Sequence, residues 1–108
     1  MSAAEKQQEG AWLNSDSPAQ WQLRGNLDFE TVPALLTQVQ RELSRAASQL
    51  EVDLDGIHHS DSAGMALLME WTRLARGHDV EVHFLRAPQQ LRELARLTSL
   101  SDLLGMDH

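Results

Sequence analysis

The chain has 108 residues, enough for one hydrophobic core and too few for two domains. Its 9 Lys and Arg face 16 Asp and Glu, for a formal net charge of −7. The basic residues never cluster, which excludes the cationic footprint of a nucleic-acid binder. Cysteine is absent, which excludes a disulfide framework and any thiolate metal site.

Residues 1–10 carry no periodic apolar positions and no signal-peptide-like apolar run, so a flexible N-terminal tail is expected there. Residues 11–108 are expected to form a single domain. No apolar stretch approaches the roughly 18 residues of a membrane-spanning helix. A cytoplasmic location is expected, with any membrane role coming through a partner.

Ala11 to Asn14 and Gln20 to Arg24 flank the turn signal Ser15-Asp16-Ser17-Pro18, and Trp21 and Leu23 alternate with polar neighbours. This reads as a hairpin closed by Gly25-Asn26. Thr31 can cap a helix with Pro33 in its first turn, since Leu35, Leu36, Val39, Leu43 and Ala46 or Ala47 recur at helical spacing. Leu50, Val52 and Leu54 then alternate with Glu51, Asp53 and Asp55 as a strand. A second helix is expected from about Ser62 to Arg76, followed by a loop at His78-Asp79. Val80, Val82 and Phe84 form the next strand, and Pro88 opens a third helix with Leu91, Leu94 and Ala95 inward. Leu100, Leu103 and Leu104 are expected to close the core in a last short turn.

The order β-β-α-β-α-β-α implies an α/β fold, a mixed, mostly parallel sheet of four to five strands with helices packed on it. The most informative stretch is the junction from Ile57 to Leu68, where a carboxylate-rich strand gives way to a helix that opens on a small hydroxyl residue. A helix start leaves backbone N–H groups without intrahelical acceptors and carries partial positive charge. Ser60 and Asp61 are both good caps for those donors, and Ser62 lies in or beside the first turn. The junction is either a well-capped helix start or a regulatory or contact hydroxyl.

At about 100° per residue, Leu67, Leu68, Trp71, Leu74 and Ala75 share the face expected to pack on the sheet. Opposite them, Ser62, Met65, Ala66, Met69 and Arg73 follow the i, i+3, i+4, i+7, i+11 spacing. An exposed apolar stripe with adaptable methionines is a protein-contact surface, unless helix one or the C-terminal turn covers it.

Other chemistry finds little support. Nucleotide-binding glycine motifs are absent. Asp53, Asp55, Asp61, His58 and His59 match no metal-ligand spacing and read as solvated loop or strand-end groups, so no metal or other cofactor is expected. Ser62 lacks the G-x-S-x-G elbow of a hydrolase, and no catalytic residue is assigned. His83 reads as a surface hydrogen-bonder. Trp12, Trp21 and Trp71 sit at apolar positions of their elements and read as core.

Residues 11–104 resemble a STAS domain, the fold shared by anti-anti-sigma factors and the cytoplasmic tails of sulfate transporters. The resemblance is carried by Leu23-Arg24-Gly25-Asn26-Leu27-Asp28, by Val52-Asp53-Leu54, and above all by Asp61-Ser62-Ala63-Gly64-Met65, similar to the family's D-[ST]-x-G-[hydrophobic] signature. In the anti-anti-sigma branch the residue after the Asp is a phosphorylatable Ser, the place Ser62 occupies. The segment Leu27 to Leu36 and Gly64 to Leu68 look like the small stand-alone STAS subunit of Mla-type ABC systems, associated with phospholipid movement and outer-membrane lipid asymmetry. Relatives of that type often carry Thr at the place of Ser62 and Gly at the place of Ala63.

That resemblance implies a non-enzymatic accessory subunit, peripheral to the inner membrane, that binds the cytoplasmic ABC ATPase subunit and reaches the permease only indirectly. Asp61, Ser62, Met65, Ala66, Met69 and Arg73 would form the contact. The alternative it leaves open is an anti-sigma factor antagonist switched by phosphorylation of Ser62.

Overall fold

A computed structural model of the chain describes residues 10–100. Strands β1 (Ala11–Asn14), β2 (Gln20–Leu27), β3 (Gln49–Ser60) and β4 (Glu81–Leu85) alternate with helices α1 (Val32–Glu42), α2 (Ser62–Gly77) and α3 (Gln89–Leu97), and α1 runs on into a 3₁₀ turn, Leu43–Arg45. The expected element order is present. The sheet order is β1-β2-β3-β4, with β1 antiparallel to β2 and the other two pairings parallel. The expected tail, apart from Gly10, lies outside the described residues, as do Leu103 and Leu104 of the closing turn. Leu100 packs against the core.

One-sided burial explains the alternation. Trp21 on β2 pairs with Val52 on β3, which pairs with Phe84 on β4, and all three are buried. Gln22, Asp53 and Leu85 form the next paired row, on the opposite face. Successive side chains of a strand point to opposite faces, so the helices cover one face of this sheet and leave the other polar. Trp71 of α2 binds the layers together, with its ring centroid 6.0 Å from that of Trp21 and 5.6 Å, edge-on, from that of Phe84. Fully burying each such side chain contributes roughly 1.5–3 kcal/mol or more.

Four expectations need correction. Gly25-Asn26 does not close the hairpin: β2 continues to Leu27 through a register shift, with Gly25 at φ +101° and the Gly10 carbonyl packed against the place of its missing Cβ. Only glycine takes that backbone shape without strain. Likewise β3 does not stop near Asp55 but runs to Ser60, because Asn26 and Leu27 of β2 pair with His59 and Ser60. Trp12 is not core. Leu13 takes the inward position of β1, leaving Trp12 beside Arg24 on the open face and 39% exposed. Thr31 occupies the N-cap position of α1 without capping it, because its hydroxyl turns back to donate to the Asn26 carbonyl at 2.8 Å.

On the open face Arg86 grips Asp53 through Nε to Oδ1 at 3.1 Å and through its second nitrogen to Oδ2. The Arg86 guanidinium holds the Asp53 carboxyl below its ordinary range, against a smaller opposing effect of burial. A group whose folded pKa is depressed contributes stability above its unfolded pKa of about 3.9, and loses it as pH falls through the folded value. Arg86→Met is therefore expected to be slightly less stable than wild type at neutral pH, as for a solvent-screened ion pair. Urea titrations of both proteins across pH 7 to 2.5 should show that difference shrinking toward zero at the acid end.

Candidate functional site

The site lies where the parallel strands β2 and β3 end together. Leu27 pairs with Ser60, and the Asp61 N–H donates to the Leu27 carbonyl at 3.2 Å, so both strand ends sit directly under the start of α2. Asp61 is the N-cap, its Oδ1 accepting from the Ala63 N–H at 2.8 Å, and the Gly64 N–H donates to its carbonyl at 3.0 Å. Of the two candidate caps only Asp61 serves. Ser60 is instead buried beneath the helix as the last strand residue, its hydroxyl donating to the Asp61 carbonyl at 3.3 Å.

Gly64 allows the close fit. A Cβ at this position would collide with Ser60 Oγ and approach Leu27 Cβ to 3.0 Å. The first turn of α2 therefore rests almost on the strand ends, which holds Ser62 at the rim of the sheet. Gln90 of α3 reaches the same place, accepting from the Ser60 N–H at 3.1 Å. Nothing in the sequence singles out Gln90, because a glutamine in the first turn of a helix has no distinguishing spacing.

The predicted site residues divide by burial. Ser62, Ala66, Met69 and Arg73 are exposed along one edge of α2, with Met69 at 44%, whereas Met65 is 6% exposed and belongs to the core. The predicted stripe is thus narrower than its spacing implied. Its correction has a simple cause: α2 is the middle helix, packed against both α1 and α3 as well as the sheet, so its covered arc is wide enough to include Met65. Arg73 is engaged by Glu70, with Nε to Oε1 at 2.6 Å, which raises the guanidinium above its ordinary value.

The other groups considered for chemistry are scattered. His58 and His59 are exposed on β3, Asp53 pairs with Arg86, and Asp61 caps α2. His83 sits on the open face with Nε2 3.1 Å from Glu81 Oε2 and 3.2 Å from Gln49 Oε1, the surface hydrogen-bonding role expected of it. Among the described residues no group of three or more His, Asp or Glu is arranged to hold a metal ion. A cavity of about 290 Å³ lies on the open face, lined by Asn14, Asp16, Gln20, Gln22, Glu51 and Asp53 among others, and includes none of the predicted contact residues. What the junction offers chemically is one accessible hydroxyl at the positive end of a rigid helix, next to a partly apolar exposed row.

The family model described as "Mlab, STAS domain" matches residues 14–105 of this chain. The chain belongs to the STAS domain family. Among curated STAS relatives, an anti-sigma-B factor antagonist of Staphylococcus aureus is 29% identical over 86 residues, 77% of each chain. Among solved structures, the anti-sigma factor antagonist SpoIIAA in its unphosphorylated form superposes with a TM-score of 0.72 at 16% identity, over 90% of this chain and 85% of that one. An anti-sigma factor antagonist from Mycobacterium paratuberculosis gives 0.73 at 18% identity, over 89% and 82%. These likenesses establish the STAS fold, an α/β mixed sheet that is mostly parallel. Among the described residues no helix is long and apolar enough to cross a membrane.

Proposed function

We propose that this chain is a non-enzymatic, cytoplasmic protein-binding switch of the anti-sigma factor antagonist type, docking a partner through Asp61, Ser62, Ala66, Met69 and Arg73. Phosphorylation of Ser62 is the switch. The observation that carries this reading is the exposed Ser62 hydroxyl, held as the first residue of a capped helix at the head of an exposed row. The Staphylococcus aureus relative, an anti-sigma-B factor antagonist, supports it.

The physics of the switch is local. A phosphate adds about −1.5 to −2 charges. Helix N-termini favour an anion, so the modified helix stays folded. The partner, however, would meet a dense new charge beside Asp61 at the head of the exposed row, and desolvating it weakens the contact.

A second reading is favoured by the description of the matching family model, which names Mlab, and by the Leu27 to Leu36 segment. In it the chain is an accessory subunit that binds and stabilises the ATPase of an ABC phospholipid-transport complex at the inner membrane. Ser62 then stays unmodified, and binding acts by favouring a competent ATPase conformation. Both readings use one surface.

Titration of the purified chain against two purified probes from the same genome, a serine-kinase anti-sigma factor and a phospholipid-transporter ABC ATPase, separates them. The expected result is binding to the kinase, one phosphate incorporated from ATP, none in Ser62→Ala, and at least about tenfold weaker binding of Ser62→Asp. Binding to the ABC ATPase alone, without phosphorylation, replaces this reading with the second.

A further inference from the structure

Phe29 falls in no periodic apolar pattern of the sequence and is 77% exposed, the most exposed of Phe and Trp among the described residues. A lone surface apolar residue is ordinary. Three observations set this one apart.

The first is rigidity. Phe29 sits in the turn between β2 and α1, where Asp28 Oδ1 accepts from the N–H groups of Glu30 at 2.9 Å and Thr31 at 3.0 Å. The Val32 N–H donates to the Asp28 carbonyl at 3.0 Å, and the Thr31 hydroxyl accepts from the Asp28 N–H at 3.0 Å while donating to the Asn26 carbonyl. A turn backbone held by so many bonds loses little further freedom when the ring it carries binds.

The second is place. Leu27 accepts from the Asp61 N–H, and Phe29 follows Leu27 by two residues, a span of at most about 7.6 Å between Cα atoms. The ring therefore stands at the same end of the sheet as Ser62. The third is charge. Residues 26–31 and 61–66 of this rim contain Asp28, Glu30 and Asp61 and no Lys or Arg, and the exposed His58 and His59 stand beside them at the end of β3, where His59 pairs with Asn26.

We infer that Phe29 is the aromatic anchor of the docking surface, filling an apolar pocket on the partner protein whose rim carries Lys or Arg side chains that meet Asp28 and Glu30. This rests on the docking reading above, under either partner. The anionic rim disfavours an anionic lipid surface as the occupant, since such a surface repels carboxylates. With the ring as anchor and Ser62 at the same end of the sheet, a phosphate on Ser62 would also oppose the partner's approach to the apolar ring.

The test titrates wild type, Phe29→Ala, Phe29→Leu, Glu30→Lys and Met69→Glu against the kinase anti-sigma factor and the ABC ATPase, with thermal melts for each variant. Expected are an unchanged melt for Phe29→Ala, at least about thirtyfold weaker binding to whichever probe binds wild type, partial recovery in Phe29→Leu, and weaker, less salt-sensitive binding of Glu30→Lys. If Met69→Glu loses binding while Phe29→Ala binds as wild type, the anchor is overturned and the docking reading stands. If neither probe binds wild type, both fall. Phe29-dependent binding to phosphatidylglycerol vesicles overturns the protein pocket in favour of a lipid surface.

Discussion

Gly64→Ala is expected to destabilise the protein by about 1–3 kcal/mol, although alanine is the better helix former by roughly 0.5–1 kcal/mol. The new methyl would overlap Ser60 Oγ and press on Leu27 Cβ at 3.0 Å. The hydroxyl can rotate away only by giving up its bond to the Asp61 carbonyl, and Leu27 Cβ is fixed by β2 itself. Because the clash has an identifiable partner, it should be partly relieved by removing that partner. Ser60→Ala in the Gly64→Ala background is expected to recover part of the loss, giving a coupling of about 0.5–3 kcal/mol in a double-mutant cycle. Urea unfolding of the four proteins measures it, and strict additivity would show that the helix relaxes by lifting off the strand ends instead.

Much of this architecture was legible because the sheet is covered on one face only. Leu50, Val52 and Leu54, and Val80, Val82 and Phe84, alternate with polar residues in the sequence since only one side of each strand is apolar. The end of β3 was hidden for a related reason. Beyond Gly56 the strand passes a register shift, and His58-His59 reads as loop although its backbone is paired with β2. In β1 the expected burial of Trp12 fails, since four residues do not fix which of Trp12 and Leu13 points inward. At the site, Asp61, Ser62 and the Asp-Ser-x-Gly spacing carried the position of the junction. Phe29 and Gln90 had no such signal, because one lies in a turn and the other acts through a single side-chain bond across the fold.

Met65 and Met69 lie one turn apart on α2 and are expected to respond to the same substitution in opposite ways. Met69 is 44% exposed, so Met69→Glu places its carboxylate in water and should change stability by less than about 0.5 kcal/mol. At the interface the same carboxylate would be stripped of water against an apolar partner surface, at a cost of several kcal/mol, and binding should fall by more than about a hundredfold. Met65 belongs to the core cluster with Leu27, Leu35 and Leu68, where Met65→Glu would bury an ionisable group with no partner. That cost approaches the 5–15 kcal/mol that holds a domain of this size together, so Met65→Glu is expected to be unfolded or molten at neutral pH. Circular dichroism melts and the binding titration separate the two effects. A folded Met65→Glu would remove that methionine from the core, and a Met69→Glu that binds as wild type would move the interface off this edge of α2. The expected pattern, one variant folded but silent and the other unfolded, reflects how the central helix is used: its wide covered arc builds the core, and the narrow edge left over is all that remains for recognition.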